Sequence, residues 1–197
     1  MTFSSTENNA GEPRYSAPIA CYRAGVKPPG AIRQIGYVVT DLDRALDGWV
    51  CLGVGPWFVI RNLEQRVTYR GVPCEITLSL ALANSGDMQV EVICQHDDTP
   101  SVFTEFLAAR GPGFHQLAYW TEDFESTMAG LAETGWPVVW SGGEDVGTRF
   151  AYLEPPGGPA AAIEIMELTD ATSGMATFLR DAAASWDGTD PIRELSG

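Results

Sequence analysis

Four residues at matched places stand out for their chemistry: Gln34, Glu91, Gln116 and Glu164. Glu91 in QVEVIC and Glu164 in AIEIME are each a lone carboxylate among β-branched and apolar neighbours. A carboxylate in a core strand costs several kcal/mol unless it is paired, metal-bound, hydrated or protonated. Burial also raises its pKa toward the range useful to a general base. One such Glu is more simply read as facing water from a half-exposed strand, but two at equivalent places weigh toward function. Gln34 and Gln116 open the related stretches QIGYVVTDLD (34–43) and QLAYWTEDFE (116–125), 82 residues apart (116 minus 34). The register continues through Leu42 and Phe124, Leu46 and Met128, Gly48 and Gly130, and Gly53 and Gly135. Such a repeat means two copies of one unit, with room for a site between them.

Other candidates are fewer. Only His96 and His115 are present. His96 lies in the turn QHDDTP and reads as a solvated loop residue. His115, beside Gln116, points to the opposite face of a regular strand, where only a bulge would bring it in. Two histidines so placed do not support a two-His, one-carboxylate iron site. Trp120 shares the cleft face with Gln116, whereas Tyr37 and Tyr119 have the opposite parity and read as core against helices. Trp57, Phe58 and Trp140 are suited to line an apolar pocket or simply to fill the core. Arg61, Arg66 and Arg70 cluster by default on a solvated edge, with Arg70 as the candidate for binding an anionic tail. Lys27, the sole lysine, lies in a Pro/Gly-rich lead-in. No GxGxxG, Walker or GxSxG sequence is present, so nucleotide cofactors and covalent acyl chemistry lack support.

The elements that must position these residues follow from periodicity. Residues 1–30 read as a polar tail. A first module, 31–96, has the pattern βαβββ: a strand on which Gln34, Gly36 and Val38 share a face, a helix capped by Asp41 with an apolar stripe of Leu42, Ala45, Leu46 and Trp49, and strands at 56–61, 74–82 and 88–94. A connecting helix capped by Thr99 with Pro100 in its first turn, striped by Phe103, Phe106 and Leu107 and ended by Gly111, opens the second module, 97–168. There the unit recurs as strand 114–121, helix 123–134 capped by Asp123, and strands near 136–141, 147–153 and 161–168. A C-terminal segment, 169–197, places Met175, Phe178, Leu179, Ala182, Ala183 and Trp186 on one helical face that docks on the body, and polar residues finish the chain. The expected class is α+β, with two βαβββ modules forming a curved mixed sheet around a central cleft.

Composition narrows the partners. With 26 acidic against 12 basic side chains in 197 residues, the net charge of −14 repels nucleic acid and anionic lipid. No apolar run approaches a membrane span and no secretory signal precedes the first module, so a cytoplasmic location is expected. Cys21, Cys51, Cys74 and Cys94 are scattered without a CxxC pair and read as reduced, mostly buried thiols.

The doubled βαβββ unit, the Q-[IL]-[GA]-Y starts and the terminal IEI resemble the vicinal oxygen chelate superfamily of glyoxalase I, methylmalonyl-CoA epimerase, extradiol dioxygenases and bleomycin-resistance proteins. GVGPWFV, PSVFTEFLAARGPGFHQLAYW and RFAYLEPPGG look most like its glyoxalase/epimerase branch. The resemblance implies a divalent cation on Gln34, Glu91, Gln116 and Glu164. Gln116 stands where a His is usual, and the resulting all-oxygen set would suit Mg²⁺, Mn²⁺ or a metal-free cleft better than zinc. It further implies proton transfer next to the carbonyl of a small, largely apolar substrate by an epimerase, isomerase or lyase, with Glu164 as base, Glu91 as its counterpart, and Gln34 and Gln116 holding substrate. The alternative is a non-catalytic binding or resistance protein. A homodimer is compatible with either.

Overall fold

The computed structural model describes residues 28–195, so most of the tail, with Cys21 and Lys27, lies outside the described residues. Strand β1 (Gln34–Val38), helix α1 (Leu42–Cys51) and strands β2 (Trp57–Tyr69), β3 (Val72–Ser85) and β4 (Met88–Gln95) come first. Helix α2 (Val102–Arg110) leads into β5 (Gly113–Thr121), α3 (Phe124–Ala132), β6 (Val138–Gly142), β7 (Phe150–Leu153) and β8 (Ala162–Glu167). Helix α4 (Asp170–Ala184) and strand β9 (Ile192–Glu194) follow. The βαβββ pattern thus occurs twice, as the sequence led us to expect.

All the strands join one mixed sheet in the order β3-β4-β1-β5-β8-β7-β6-β2-β9, and β2 also pairs with β3, which closes eight of them into a ring. Closure leaves few unpaired strand edges. The pairs β1–β4 and β5–β8 are parallel, while β1 and β5 meet antiparallel at the seam between the repeats. Helices α1 and α3 cover the outside. Leu42 and Leu46 of α1 pack on Trp57, Val59, Ala81 and Val92, and Leu131 of α3 packs on Leu153, Ile163 and Ile165. Tyr37 and Tyr119 belong to these outer layers, as their parity requires. Part of the interior is filled by Val102, Phe103 and Phe106 of α2 against Val38, Leu78, Trp140 and Tyr152. Trp57 and Trp140 are therefore core residues, one outside the sheet and one inside.

Several boundaries differ from the expectation. Strand β2 runs to Tyr69 and turns into β3 through Arg70 and Gly71, both at positive φ (47° and 83°), with Tyr69 facing Val72. Two central residues at positive φ are the signature of a tight hairpin turn, but Arg-Gly is a weak sequence signal for it, and the alternately exposed run from Glu64 to Thr68 reads as loop. The cap of α2 is Ser101, whose hydroxyl accepts from the Phe103 and Thr104 amides, with Thr104 reaching back to the Ser101 N–H. Thr99 is instead held by Asp97 in the preceding turn. Helix α4 docks on β3 with Leu179 buried, and meets β2 through Phe178, whose ring meets that of Phe58 edge-on at 4.7 Å. Past it, Ile192–Glu194 pairs in parallel with Trp57–Val59, where the sequence suggested only a polar end. Among the described cysteines, all free, Cys94 is buried, Cys74 half-buried and Cys51 exposed, so burial is less general than expected. No helix among the described residues is long and apolar enough to cross a membrane.

Candidate active site

Strand registers decide which side chains share the interior. Gly36 on β1 lies opposite Glu91 on β4 and opposite Gln116 on β5. Gln34 lies opposite Gln89 and Ala118, and Ala118 lies opposite Glu164 on β8, which in turn faces Tyr152 on β7. Aligned neighbours project to the same face of a sheet. The interior thus carries a polar band, Gln89, Gln34, Glu164 and Tyr152, beside a shorter row of Glu91, Gly36 and Gln116.

Gln116, fully buried, joins the two rows. Its amide nitrogen donates to Glu91 Oε2 at 3.0 Å and to the Tyr152 hydroxyl at 3.1 Å. The side chain crosses directly over Gly36, where an added Cβ would lie 2.2 Å from Gln116 Cδ. Only glycine allows this reach. With both amide hydrogens so used, Gln116 Oε1 accepts from His115 Nδ1 at 2.5 Å. His115 reaches that position because β5 bulges: Gly36 pairs with Gln116 and Tyr37 with Phe114, leaving His115 as the extra residue. The sequence reading, which assumed a regular strand, sent it to the other face. Its ring packs against Phe103, Phe106 and Tyr152, and burial pulls its pKa down to about 4, so it is neutral at pH 7.

Electrostatics distinguish the two carboxylates. Burial pushes Glu91 up to about 7, opposed by the Gln116 hydrogen bond, which favours its ionised form. Glu164 is raised well above the usual carboxylate range by burial first and by the charge of Glu91 second. One negative charge raises the other group, so Glu164 holds its proton to higher pH than Glu91 does. Tyr152 is raised well above 10 by burial and by the same two charges, and stays a phenol. Glu164 Oε2 and Gln34 Oε1 are buried without a hydrogen-bond partner. Buried polar atoms are rarely left so, and these two mark the place where a ligand would complete the network.

The four residues that the resemblance assigns to a cation do not fit that role as arranged. Gln116 turns N–H donors into the site, toward Glu91 and Tyr152, where a cation requires a lone pair. Its carbonyl oxygen is held by His115. Among the described residues, no three His, Cys, Asp or Glu side chains are grouped to hold a metal ion.

The remaining expected residues divide. Trp120 lies on the interior face near Gln34, its ring under the Arg33 guanidinium at 4.8 Å and its indole N–H without an acceptor. Arg70 sits at the tip of the β2–β3 hairpin, away from this cluster, in ion pairs with Glu105 and Glu154. Arg61 pairs with Asp43 and Glu194, and Arg66 pairs with Glu75. His96 is bound by Ser79 at 2.6 Å on an outer turn. Sequence reasoning missed Tyr152, although the hairpin closed by EPPGGP sets it across from Glu164.

Residues 33–152 match the sequence profile of the Glyoxalase/Bleomycin resistance protein/Dioxygenase superfamily. Among solved structures, methylmalonyl-CoA epimerase from Mycobacterium tuberculosis superposes with a TM-score of 0.53 at 21% identity, covering 79% of this chain and 99% of that one. A variant of the Streptomyces coelicolor methylmalonyl-CoA epimerase, in complex with 2-nitronate-propionyl-CoA, gives 0.50 at 19% identity over 71% of this chain and 94% of that one. A hypothetical protein from Bacillus halodurans gives 0.52 at 18% identity over 71% and 95%.

Proposed function

The chain belongs to the Glyoxalase/Bleomycin resistance protein/Dioxygenase superfamily, and on that premise we propose that it is an enzyme moving a proton next to a carbonyl, an epimerase, isomerase or lyase on a small, largely apolar substrate. The observation that carries this reading is the half-buried Glu91 and buried Glu164, side by side on the interior face with raised pKa values. A pKa near 7 puts a base where it is half ionised at working pH yet strong enough to take a proton from carbon activated by a carbonyl.

In this reading, the Gln116 N–H favours the ionised form of Glu91, so Glu91 starts the reaction as base and Glu164 as acid. This reverses the resting roles expected from the sequence. Glu91 takes the proton from the α-carbon, the electron pair moves onto the carbonyl oxygen, and Glu164 returns a proton to the same carbon from the other side or to a neighbouring atom. The Tyr152 hydroxyl, accepting from Gln116, has its own hydrogen left to donate to the enolate oxygen. His115 holds the Gln116 amide in the orientation all of this needs.

Deuterium uptake at carbon tests the proposal, with methylmalonyl-CoA and the methylglyoxal–glutathione hemithioacetal as probes in D₂O. Uptake on at least one of them is expected, falling by a factor of about 10²–10⁴ in Glu164→Gln and in Glu91→Gln. Unchanged uptake in Glu164→Gln would sink the assignment. Tight binding of a probe that never exchanges would point to a sequestering protein.

A further inference from the structure

We propose that a cavity of about 840 Å³ beneath α4 binds an anionic group of the substrate, a carboxylate or a phosphate, through Arg33 and Arg180, and so aims the carbonyl of the same molecule at Glu91 and Glu164. The proposal rests on the reading of those two carboxylates given above.

Of the nine arginines among the described residues, five are committed elsewhere. Arg61, Arg66, Arg70, Arg149 and Arg193 each face one or two carboxylates within 4 Å. Arg33 has no carboxylate partner among the described residues and lies over the Trp120 ring, 4.8 Å from its centre. Arg180 pairs, among the described residues, only with its sequence neighbour Asp181, and both side chains are exposed, a contact of little energetic weight. Both arginines line the cavity, with Asp87 as the one acidic residue of its wall among the described residues. Two arginines so placed on a chain of net charge −14 bring guanidinium donors to one cavity.

The rest of the wall supplies hydrogen-bond donors. The Trp120 indole N–H is buried and unpartnered, and indole can only donate. Helix α4 contributes Ser173, Ala176, Thr177 and Arg180, a single face at helical spacing, while Leu179 on the adjoining face is buried and the helix docks on β3. Two hydroxyls and a methyl leave room for a ligand beside the Arg180 side chain.

Distance connects cavity to chemistry. Gln89 and Trp120 line the cavity, and two residues along the same strands lie Glu91 and Ala118, the partner of Glu164. Two residues of strand span about 6.6 Å. A carbonyl separated from its anion by a few carbons reaches from one to the other.

Isothermal titration calorimetry on pairs that differ in charge tests this. One pair is 5-oxohexanoate with its methyl ester, for a carboxylate. The other is propionyl-CoA with the propionyl thioester of N-acetylcysteamine, for phosphate. The charged member of one pair is expected to bind at least about tenfold more tightly, the preference disappearing in Arg33→Gln/Arg180→Gln and persisting in Arg44→Gln, which removes a charge from the outer helix α1. Which pair responds identifies the anion. Should the double variant fail to fold, raising the salt from about 0.02 M to about 0.5 M on the wild type must abolish the preference instead. No preference in either pair, or the same preference in a folded double variant, overturns the proposal. Glu164→Gln keeps the charge preference if the cavity is correctly assigned, so failure of the proton-transfer reading would be seen separately, in the exchange assay.

Discussion

Gly36 carries more of the site than any polar residue beside it, because its missing side chain is what lets Gln116 cross from β5 to Glu91. Gly36→Ala forces the amide away from Glu91 and Tyr152, since the new Cβ would sit 2.2 Å from Gln116 Cδ. Overpacking of this kind costs about 1–3 kcal/mol, to be read from urea midpoints. Proton exchange should fall with it, because Glu91 loses the donor that favours its ionised form. Acidity gives a second prediction. In the folded chain Glu91 is raised from its usual 4.5 to about 7, so between those values the native state binds more protons than the unfolded one. Its contribution to stability is then full below about pH 4.5 and is lost as the pH rises through about 7. Compared with Glu91→Gln, the wild type should weaken across that window, by a difference on the order of 1–3 kcal/mol; a pH-independent difference would contradict the raised pKa. His115 has the opposite sign: its pKa is depressed to about 4, so its contribution is present above about 6.5 and is lost on acidification through about 4. Dialysis against a chelator should leave exchange unaltered, since Gln116 presents donors to the site.

Elements differ in how openly the sequence announces them. Helices α1 and α3 are declared by Asp41 and Asp123, whose side chains accept from Arg44 N and Ser126 N as the capping rule requires. Helix α2 hides its start, because three candidate starters, Thr99, Pro100 and Ser101, stand in a row and the choice rests on the turn that Asp97 makes before them. Ser101 is wholly buried, accepts from two helix amides and donates to Gln95 Oε1. Ser101→Ala should therefore cost up to about 2 kcal/mol in chemical denaturation, whereas Thr99→Ala should cost less. The four Gln and Glu positions were legible because strand parity and the repeat both put them on the inner face. His115 was not, since a bulge is set by the register of two strands meeting and leaves no trace in one of them. Tyr152 was hidden for a related reason: its place opposite Glu164 depends on where the β7–β8 hairpin turns.

At the scale of the whole molecule, the repeat visible in the sequence invites a picture of two small domains side by side, but the packing joins them. The interior core takes Val38, Val67, Ile76, Leu78 and Ile93 from the first repeat and Phe103, Phe106, Trp140 and Tyr152 from the second. The β1–β5 seam and the β2–β6 pair sew the halves together at two places around the ring. A half expressed alone would expose its share of that core and two open strand edges, at about 25 cal/mol for each Å² of apolar surface left in water. Unfolding in urea is then expected as one transition, with Trp fluorescence and far-ultraviolet circular dichroism superimposing. Residues 28–96 and 97–195 made as separate chains should each lack native fluorescence and recover it on mixing. Two separated transitions, or a half that folds alone, would show that each repeat holds its own core and that the cleft between them is a docking interface, whose carboxylates would then lose their raised pKa values whenever the halves part.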